Sequence, residues 1–298
     1  MRRRRVSGLS PRAPRATEAG RVKAQLAKTR ATLETAGIPY PWLDAEILVA
    51  HVLRSSRERL HSHPERLLTA AQRQRLSRLT TRRAARVPVP YLIGEREFYG
   101  YMLTVTPAVL IPRPESELLV ELAIDWLKAR PDAQRVIDLG TGSGAVAIAV
   151  AMAVPHVRIE ARDVSIRALR VAAENVARYR LRRRITIVKG DLLRGATPAD
   201  LILANLPYIP EALRRVRPKE LHYEPALALD GGKDGLALIR TALAQAPASV
   251  KPGGLLLFEC DPAQTRRVVR IAQGHWPRAQ ISVHKDLAGL NRVVRIQT

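Results

Sequence analysis

The chain has 298 residues, of which 46% are hydrophobic and 26% charged, the balance of a soluble globular protein with room for two domains. Its apolar runs are too short to span a bilayer, the single Cys260 excludes an internal disulfide framework and suits a reducing, cytoplasmic setting, and seven scattered histidines show no metal-ligand spacing. The formal net charge is +23, and residues 1–90 hold 20 of the 50 Lys and Arg but only 6 of the 27 Asp and Glu; this predicts either attraction to an acidic partner, RNA, ribonucleoprotein or protein, mainly at the amino end, or an arginine-rich compositional bias with solvated basic faces.

Residues 1–17, within "MRRRRVSGLSPRAPRATEAGR", have few apolar residues and no acid, which predicts a disordered basic tail. The stretch is Arg-rich like a transit peptide but lacks an amphipathic apolar face, and no secretory apolar core is visible. Residues 18–86 read as a helical bundle with a basic exterior. Leu26, Leu33 and Ala36 mark one stripe, closed by Gly37 and Pro39. "WLDAEILVAHVL" gives a second helix, and "TAAQRQRLSRLTTRRAAR" opens on a capping box, Thr69 and Gln72, with Leu76 and Leu79 facing inward. "VPVP" at 87–90 breaks helix and marks a boundary.

Residues 87–113 are expected to form a linker favouring strands. In it "EREFYGYMLTV" reads as a hairpin with Gly100 in the turn. "IPRPESELLVELAIDWLKAR" is a loop and then a helix, with Pro114 near its first turn. From Arg135 strands and helices alternate: "RVIDLG", "VRIEARD", "RITIVKGD", "ADLILANLPY" and "GGLLLFEC" are strands, while "GAVAIAVAMAV", "SIRALRVAAENVARYR" and "DGLALIRTALAQA" are helices. "AQISVHKDLAGLNRVVRI" closes the chain as two strands. This alternation predicts an α/β, Rossmann-like domain over 114–298, a mostly parallel sheet with helices on both faces.

The chemistry gathers at four strand ends. "DLGTGSGAVA" leaves its strand at Asp138, passes Gly140, Thr141, Gly142, Ser143 and Gly144, and enters a helix near Ser143. The glycines let the backbone turn tightly and approach a ligand. Asp163 ends the next strand, where a carboxylate can reach ribose hydroxyls. Asp191 ends the one after, where it can accept from an adenine amino group while Leu192 packs on the ring. Acids also favour helix N-termini without any ligand, but three in succession beside a glycine loop favour a nucleoside cofactor.

The fourth end, "ANLPYIP", decides against a dinucleotide. Asn205 offers a side-chain oxygen and Leu206 a carbonyl, two acceptors suited to one planar NH2 group. Tyr208 offers a flat face, and Pro207 and Pro210 hold the backbone in place before substrate arrives. The stretch reads as a clamp for an amino group about to be alkylated.

These motifs resemble the class I methyltransferases that use S-adenosyl-L-methionine, and within them the release-factor glutamine methyltransferase family (HemK/PrmC type). The resemblance covers roughly residues 20–298 and includes "PYLIGEREFYGYMLTVTPAVLIPRPESELLVE", "DLGTGSGAVAIAVA", "DVSIRALRVAAENV", "KGDLL", "YEPALALDGGKDGL" and "DLAGLNRVVRI". It implies a seven-stranded sheet and a substrate-recognising helical region over 18–86. It also implies methylation of the N5 amide nitrogen of the glutamine in a Gly-Gly-Gln loop of a peptide-chain release factor. The chain is separately expected to act as a monomer. Asn205, Leu206, Pro207 and Tyr208 would then be the catalytic set. Asp138, Gly140, Thr141, Gly142, Ser143, Gly144, Asp163, Asp191, Leu192 and Asn205 would bind the cofactor.

The chain departs from the family pattern at Leu206, where proline is usual, at Ser116, where threonine is usual, in "FECDPAQ", and in "AGLNRVV" before Arg292. The last two read as structural. The Asn-Leu-Pro-Tyr form also occurs in ribosomal RNA adenine dimethyltransferases, so an N6-adenine methyltransferase acting on RNA or DNA is the rival reading. Those enzymes lack the amino-terminal bundle and the "YEP" segment. A basic nucleic-acid-binding protein with an inactive methyltransferase fold is the third, against which the intact Asn205 and Tyr208 speak.

Overall fold

The computed structural model describes residues 18–216 and 218–298, so the expected basic tail over 1–17 lies outside the described residues. The chain divides into two compact units, Met1–Ile93 and Gly94–Thr298. In the first, α1 (Val22–Thr35), α2 (Pro41–Leu53), α3 (Arg57–Ser62), α4 (Ala70–Ala84) and α5 (Val89–Ile93) follow one another. The α1 stripe differs from the expected one: Val22, Gln25, Thr29 and Leu33 face inward, and Leu26 and Ala36 are half-buried. Two polar residues occupy the inner line, which an apolar count passes over. Gln25 is satisfied there by donating to the Ala19 carbonyl at 2.6 Å.

α4 starts at the expected capping box, with Gln72 N–H on Thr69 Oγ1 at 3.2 Å and Thr69 N–H on Gln72 Oε1 at 2.9 Å. Leu76 and Leu79 are buried as expected, and Arg83 pairs with Asp44 of α2 at 2.6 Å. α5 is a correction, since a helix break and strands were expected there. Pro90 sits in its first turn, where a missing N–H breaks no helical bond.

In the second unit, β1 (Glu95–Phe98) and β2 (Tyr101–Thr104) form the expected antiparallel hairpin. Tyr99 and Gly100 both take positive φ, 51° and 79°, the geometry of a two-residue turn whose twist matches the strands. Beyond it come α6 (Glu117–Lys128), β3 (Arg135–Leu139), α7 (Ala145–Ala153), β4 (Arg158–Asp163), α8 (Ile166–Arg178), β5 (Ile185–Lys189) and β6 (Ala199–Ala204). Then follow α9 (Ala237–Gln245), β7 (Val250–Glu259), α10 (Thr265–His275), β8 (Gln280–Lys285) and β9 (Asn291–Gln297). α10 was not legible as a helix beforehand: arginines interrupt its apolar positions, and only one face, Thr265, Val268 and Ala272, is buried.

The seven strands lie in the order β5-β4-β3-β6-β7-β9-β8, all parallel except β9, which runs antiparallel to β7 and β8. Alternate residues serve opposite faces. Val136, Leu201, Leu203, Leu255 and Leu257 pack with α6, α7 and α8, while Ile137, Leu139, Ile202, Leu256 and Phe258 pack with α9 and α10. β6 is covered on both sides, so "LILA" is apolar throughout. α7 is buried from Ala145 to Ala151, which is why it has no polar face. Asn175 of α8, fully buried, takes Thr104 N–H at 2.8 Å and donates to the Thr104 and Ser143 carbonyls at 2.9 Å. One amide thus ties the hairpin and the glycine loop to the same helix.

Candidate active site

β3 lies between β4 and β6, so the chain leaves it toward one side of the sheet and later crosses to the other. A crevice opens outside the carboxyl ends of the strands at such a switch point. A cavity of about 280 Å³ lies there, lined by Gly140, Gly142, Asp163, Asp191, Leu192, Asn205, Leu206 and Pro207 among others. Val109, Leu110, Leu227 and Ala228 line it as well, contributed by two loops outside the sheet. These loops are fastened together by Glu224, which takes Ile111 N–H at 3.1 Å and pairs with Arg113.

The first strand end is a locked loop. Asp138 is 2% exposed and takes the Thr141 hydroxyl at 2.6 Å. Burial pushes its carboxyl up to about 7, against the Thr141 bond. Asp138, Thr141 and Ser143 line a smaller space of about 60 Å³ beside the main cavity, together with Gly140, Gly142 and Asn205. Gly140 has φ +68°, and a Cβ there would stand 3.2 Å from Leu206 Cδ2, so glycine lets the loop and the "NLPY" stretch close on each other. Gly144 caps α7 with φ 82°, and the helix starts at Ala145, two residues later than the sequence suggests.

At the second end, Asp163 takes Gly142 N–H at 3.0 Å on one oxygen and Ser165 N–H at 2.8 Å on the other. Burial raises its pKa against these bonds. The Val164 N–H also draws on it, and since a carboxylate has about four acceptor positions, acceptor capacity remains for a ligand hydroxyl. At the third end, Asp191 is exposed at the cavity and Leu192 is buried in its wall with φ 50°. Arg162, 4% exposed, props this turn from below: its Nε donates to the Leu192 carbonyl at 2.8 Å and Nη2 to the Arg194 carbonyl at 2.7 Å, while Nη1 pairs with Glu160. A Cβ at Gly190 would fall 2.4 Å from that guanidinium.

The fourth end joins two cavities. Asn205, Leu206 and Pro207 line the main cavity and also a second of about 170 Å³, whose walls include Tyr208, Leu221 and Leu229. Asn205 Nδ2 donates to Ser116 Oγ at 2.8 Å, which leaves the amide oxygen as its free acceptor. Among the described residues nothing donates to the Leu206 carbonyl. Leu206 itself is 2% exposed and part of the core. The Tyr208 carbonyl accepts from buried Gln264 at 2.9 Å, and Ile209 exchanges bonds with Leu229 and Gly231, both 3.0 Å. The "YEPALALDGG" segment therefore runs beside the "NLPY" stretch and fixes its course.

Behind this stretch stands Glu259, at the end of β7 and 1% exposed. Tyr208 Oη donates to its Oε1 at 3.5 Å. Burial pushes the Glu259 carboxyl up to about 7, with Ser116 the first influence drawing it back. Tyr208 is held protonated, its pKa raised by burial and by the Glu259 charge. The sequence reading passed over Glu259, Arg162, Gln264 and the Arg113–Glu224 pair. Glu259 did leave a signal: it is the one charge closing the apolar run "LLLFE".

The donor set fits a nucleoside cofactor. It offers a close backbone approach at Gly140, a carboxylate with unused acceptor positions at Asp163, a second at Asp191, and apolar walls at Leu192 and Leu206. Among the described residues no group of three or more His, Cys, Asp or Glu is placed to hold a metal ion, and no helix is long and apolar enough to cross a membrane.

The chain is similar to known proteins over most of its length. Residues 25–94 match the PrmC N-terminal domain, and residues 116–216 the methyltransferase small domain. The chain is 39% identical over 272 residues to the release factor glutamine methyltransferase of Deinococcus radiodurans, a match covering 91% of this chain and 96% of that one. It is 40% identical over 259 residues to the protein of that name from Bordetella pertussis, covering 85% and 93%. A solved protein-(glutamine-N5) methyltransferase (release factor-specific) from Alicyclobacillus acidocaldarius is 32% identical, covers 65% of this chain and 98% of its own, and superposes with a TM-score of 0.41. With this identity over nearly the whole length of its relatives, the chain belongs to the release factor glutamine methyltransferase family.

Proposed function

We propose that this chain is a protein-(glutamine-N5) methyltransferase acting on the glutamine of a Gly-Gly-Gln loop in a peptide-chain release factor. The observation that carries the reading is the seam: Asn205, Leu206 and Pro207 line both the larger cavity and the adjoining smaller one. A cofactor in the first and an acceptor side chain in the second would meet at these residues. S-adenosyl-L-methionine, when bound, supplies an electrophilic methyl group on a sulfonium.

The chain's own task is orientation. An amide nitrogen is a poor nucleophile because its lone pair is delocalised into the carbonyl. The Asn205 oxygen and the Leu206 carbonyl accept its two N–H bonds, favour pyramidal nitrogen, and stabilise the positive charge that grows there. Pro207 and the Gln264 bond to Tyr208 hold both acceptors in place, and Tyr208 offers a flat wall to the amide. Among the described residues no carboxylate or imidazole lines the smaller cavity, and the nitrogen's proton leaves to solvent after transfer. Asp163 and Asp191 take the ribose and adenine groups, Leu192 packs on the ring, and the loop from Asp138 to Gly144 supports them.

The helical unit over 18–86 grips a separate surface of the release factor. The basic amino end adds weak attraction to nucleic acid or the ribosome, and the enzyme works as a cytoplasmic monomer. The test is to incubate the purified protein with labelled S-adenosyl-L-methionine and, separately, a release factor and ribosomal RNA. Label on the Gly-Gly-Gln glutamine supports the reading. Label on RNA adenine overturns it in favour of a base substrate, and label on neither, with cofactor bound, points to a binding protein.

A further inference from the structure

Asn205 can present its oxygen to an acceptor only while its NH2 group is held elsewhere. The holder is Ser116 Oγ, 2.8 Å away and itself 3% exposed. A hydroxyl oxygen that accepts this bond must also send its own proton somewhere. The carboxyl beside it is Glu259, which the Ser116 side chain draws back toward ionisation and whose buried Oε2 meets no donor at full hydrogen-bonding geometry among the described residues. An unfilled carboxyl oxygen so deep in a protein calls for a reason.

We propose that Glu259 is a positioning residue for the methyl-acceptor site: its carboxylate accepts a hydrogen bond from the Ser116 hydroxyl, so the lone pairs of the Ser116 oxygen stay free to hold the Asn205 amide in the orientation that receives the substrate. This rests on the acceptor-site reading above. An ionised carboxyl is acceptor-only, so the Ser116 and Tyr208 hydroxyls can both point at it. A protonated Glu259 carries a donor of its own. That donor competes with Asn205 for the Ser116 oxygen and loosens the amide.

The groups around Glu259 make its ionisation conditional. Burial opposes it, with Glu115 adding like charge, and Arg292 and Tyr208 favour it. Arg292 is shared, since its Nε bonds Asp286 at 3.0 Å. Asp261 and Cys260 lie nearby, the thiol pushed up to about 12 by burial. With the carboxyl up at about 7, turnover rises as pH rises through that value and is lost below it.

Glu259→Gln places an amide donor where the protonated acid would have its own, so it should imitate low pH. Expected is a kcat lower by about ten- to a hundredfold, S-adenosyl-L-methionine affinity unchanged, and a kcat that no longer varies with pH between 6 and 8. Ser116→Ala should lose a similar factor, Ser116→Thr should recover it, and Ser116→Ala with Glu259→Gln should be no worse than either alone. These rates are read on whichever acceptor the wild-type enzyme labels, so a wrong substrate assignment does not obscure them. If Glu259→Gln fails to bind cofactor, the serine pair and its pH profiles carry the test. Wild-type kcat in Glu259→Gln, additive losses in the double variant, or a pH profile that the substitutions leave in place would overturn the proposal.

Discussion

Asp163 takes the Gly142 amide at 3.0 Å across a separation of 21 residues, with its other oxygen on Ser165. One carboxylate therefore holds the glycine loop and the entry to α8 while facing the main cavity. Asp163→Ala is expected to lower S-adenosyl-L-methionine affinity at least about tenfold, equal to about 1.4 kcal/mol. Leaving the Gly142 N–H without its partner should also cost about 1–3 kcal/mol of stability. Calorimetric titration beside thermal unfolding checks both, and unchanged affinity refutes the ribose role.

Asn205→Ala removes a transition-state acceptor and little of the cofactor wall. Turnover should fall about 10²–10³-fold, as for loss of one preorganised hydrogen-bonding group, with cofactor affinity largely spared. Single-turnover kinetics separate the two, and retained turnover would remove Asn205 from the acceptor site.

Gly235 and Gly195 both have positive φ, +77° and +69°, but only Gly235 is crowded. A Cβ at Gly235 would lie 2.3 Å from both the Tyr208 carbonyl and Gln264 Nε2, whereas Gly195 has nothing within 4 Å. Alanine should cost each about 1–2 kcal/mol of backbone strain. Gly235→Ala alone should also displace Tyr208 and lower kcat. Equal kcat in the two variants would separate the Gln264 contact from catalysis.

The Asp138 carboxyl, up at about 7 in the fold against an ordinary 3.8, makes stability depend on pH. The folded chain holds a proton there that the unfolded chain has released. The contribution is complete below the ordinary value and is lost as pH rises through about 7. Asp138→Asn keeps an acceptor for Thr141 without the charge. Its urea midpoint, measured relative to wild type, should therefore rise between pH 5 and pH 8. A pH-independent difference would contradict the assignment.

Leu206→Pro restores the family's usual residue and keeps the carbonyl. Turnover should stay within a few-fold of wild type, while stability drops by about 1–2 kcal/mol because the buried leucine side chain is lost from the core. Steady-state rates and denaturant midpoints check this, and a large loss of turnover would mean the leucine shapes the site.

The sequence by itself determined the alternation of the second unit, because strand-length apolar runs such as "LILA" alternate with helix-length ones such as α7, separated by glycine, acid and proline signals. It also determined the capping box of α4, the hairpin turn at Gly100, and the four strand ends where the site lies, since glycine, acid and proline signals act within a few residues. Only the tertiary structure decided what stands behind those ends. Ser116 and Asn205 are 89 residues apart, and Arg113 and Glu224 are 111. Arg162, Gln264 and Glu259 look like ordinary charged or polar positions until β4, β6 and β7 bring them under the loops. Local pattern is set by backbone sterics and the periodicity of burial, whereas a buried polar partnership depends on which strands become neighbours, and no short window of sequence records that.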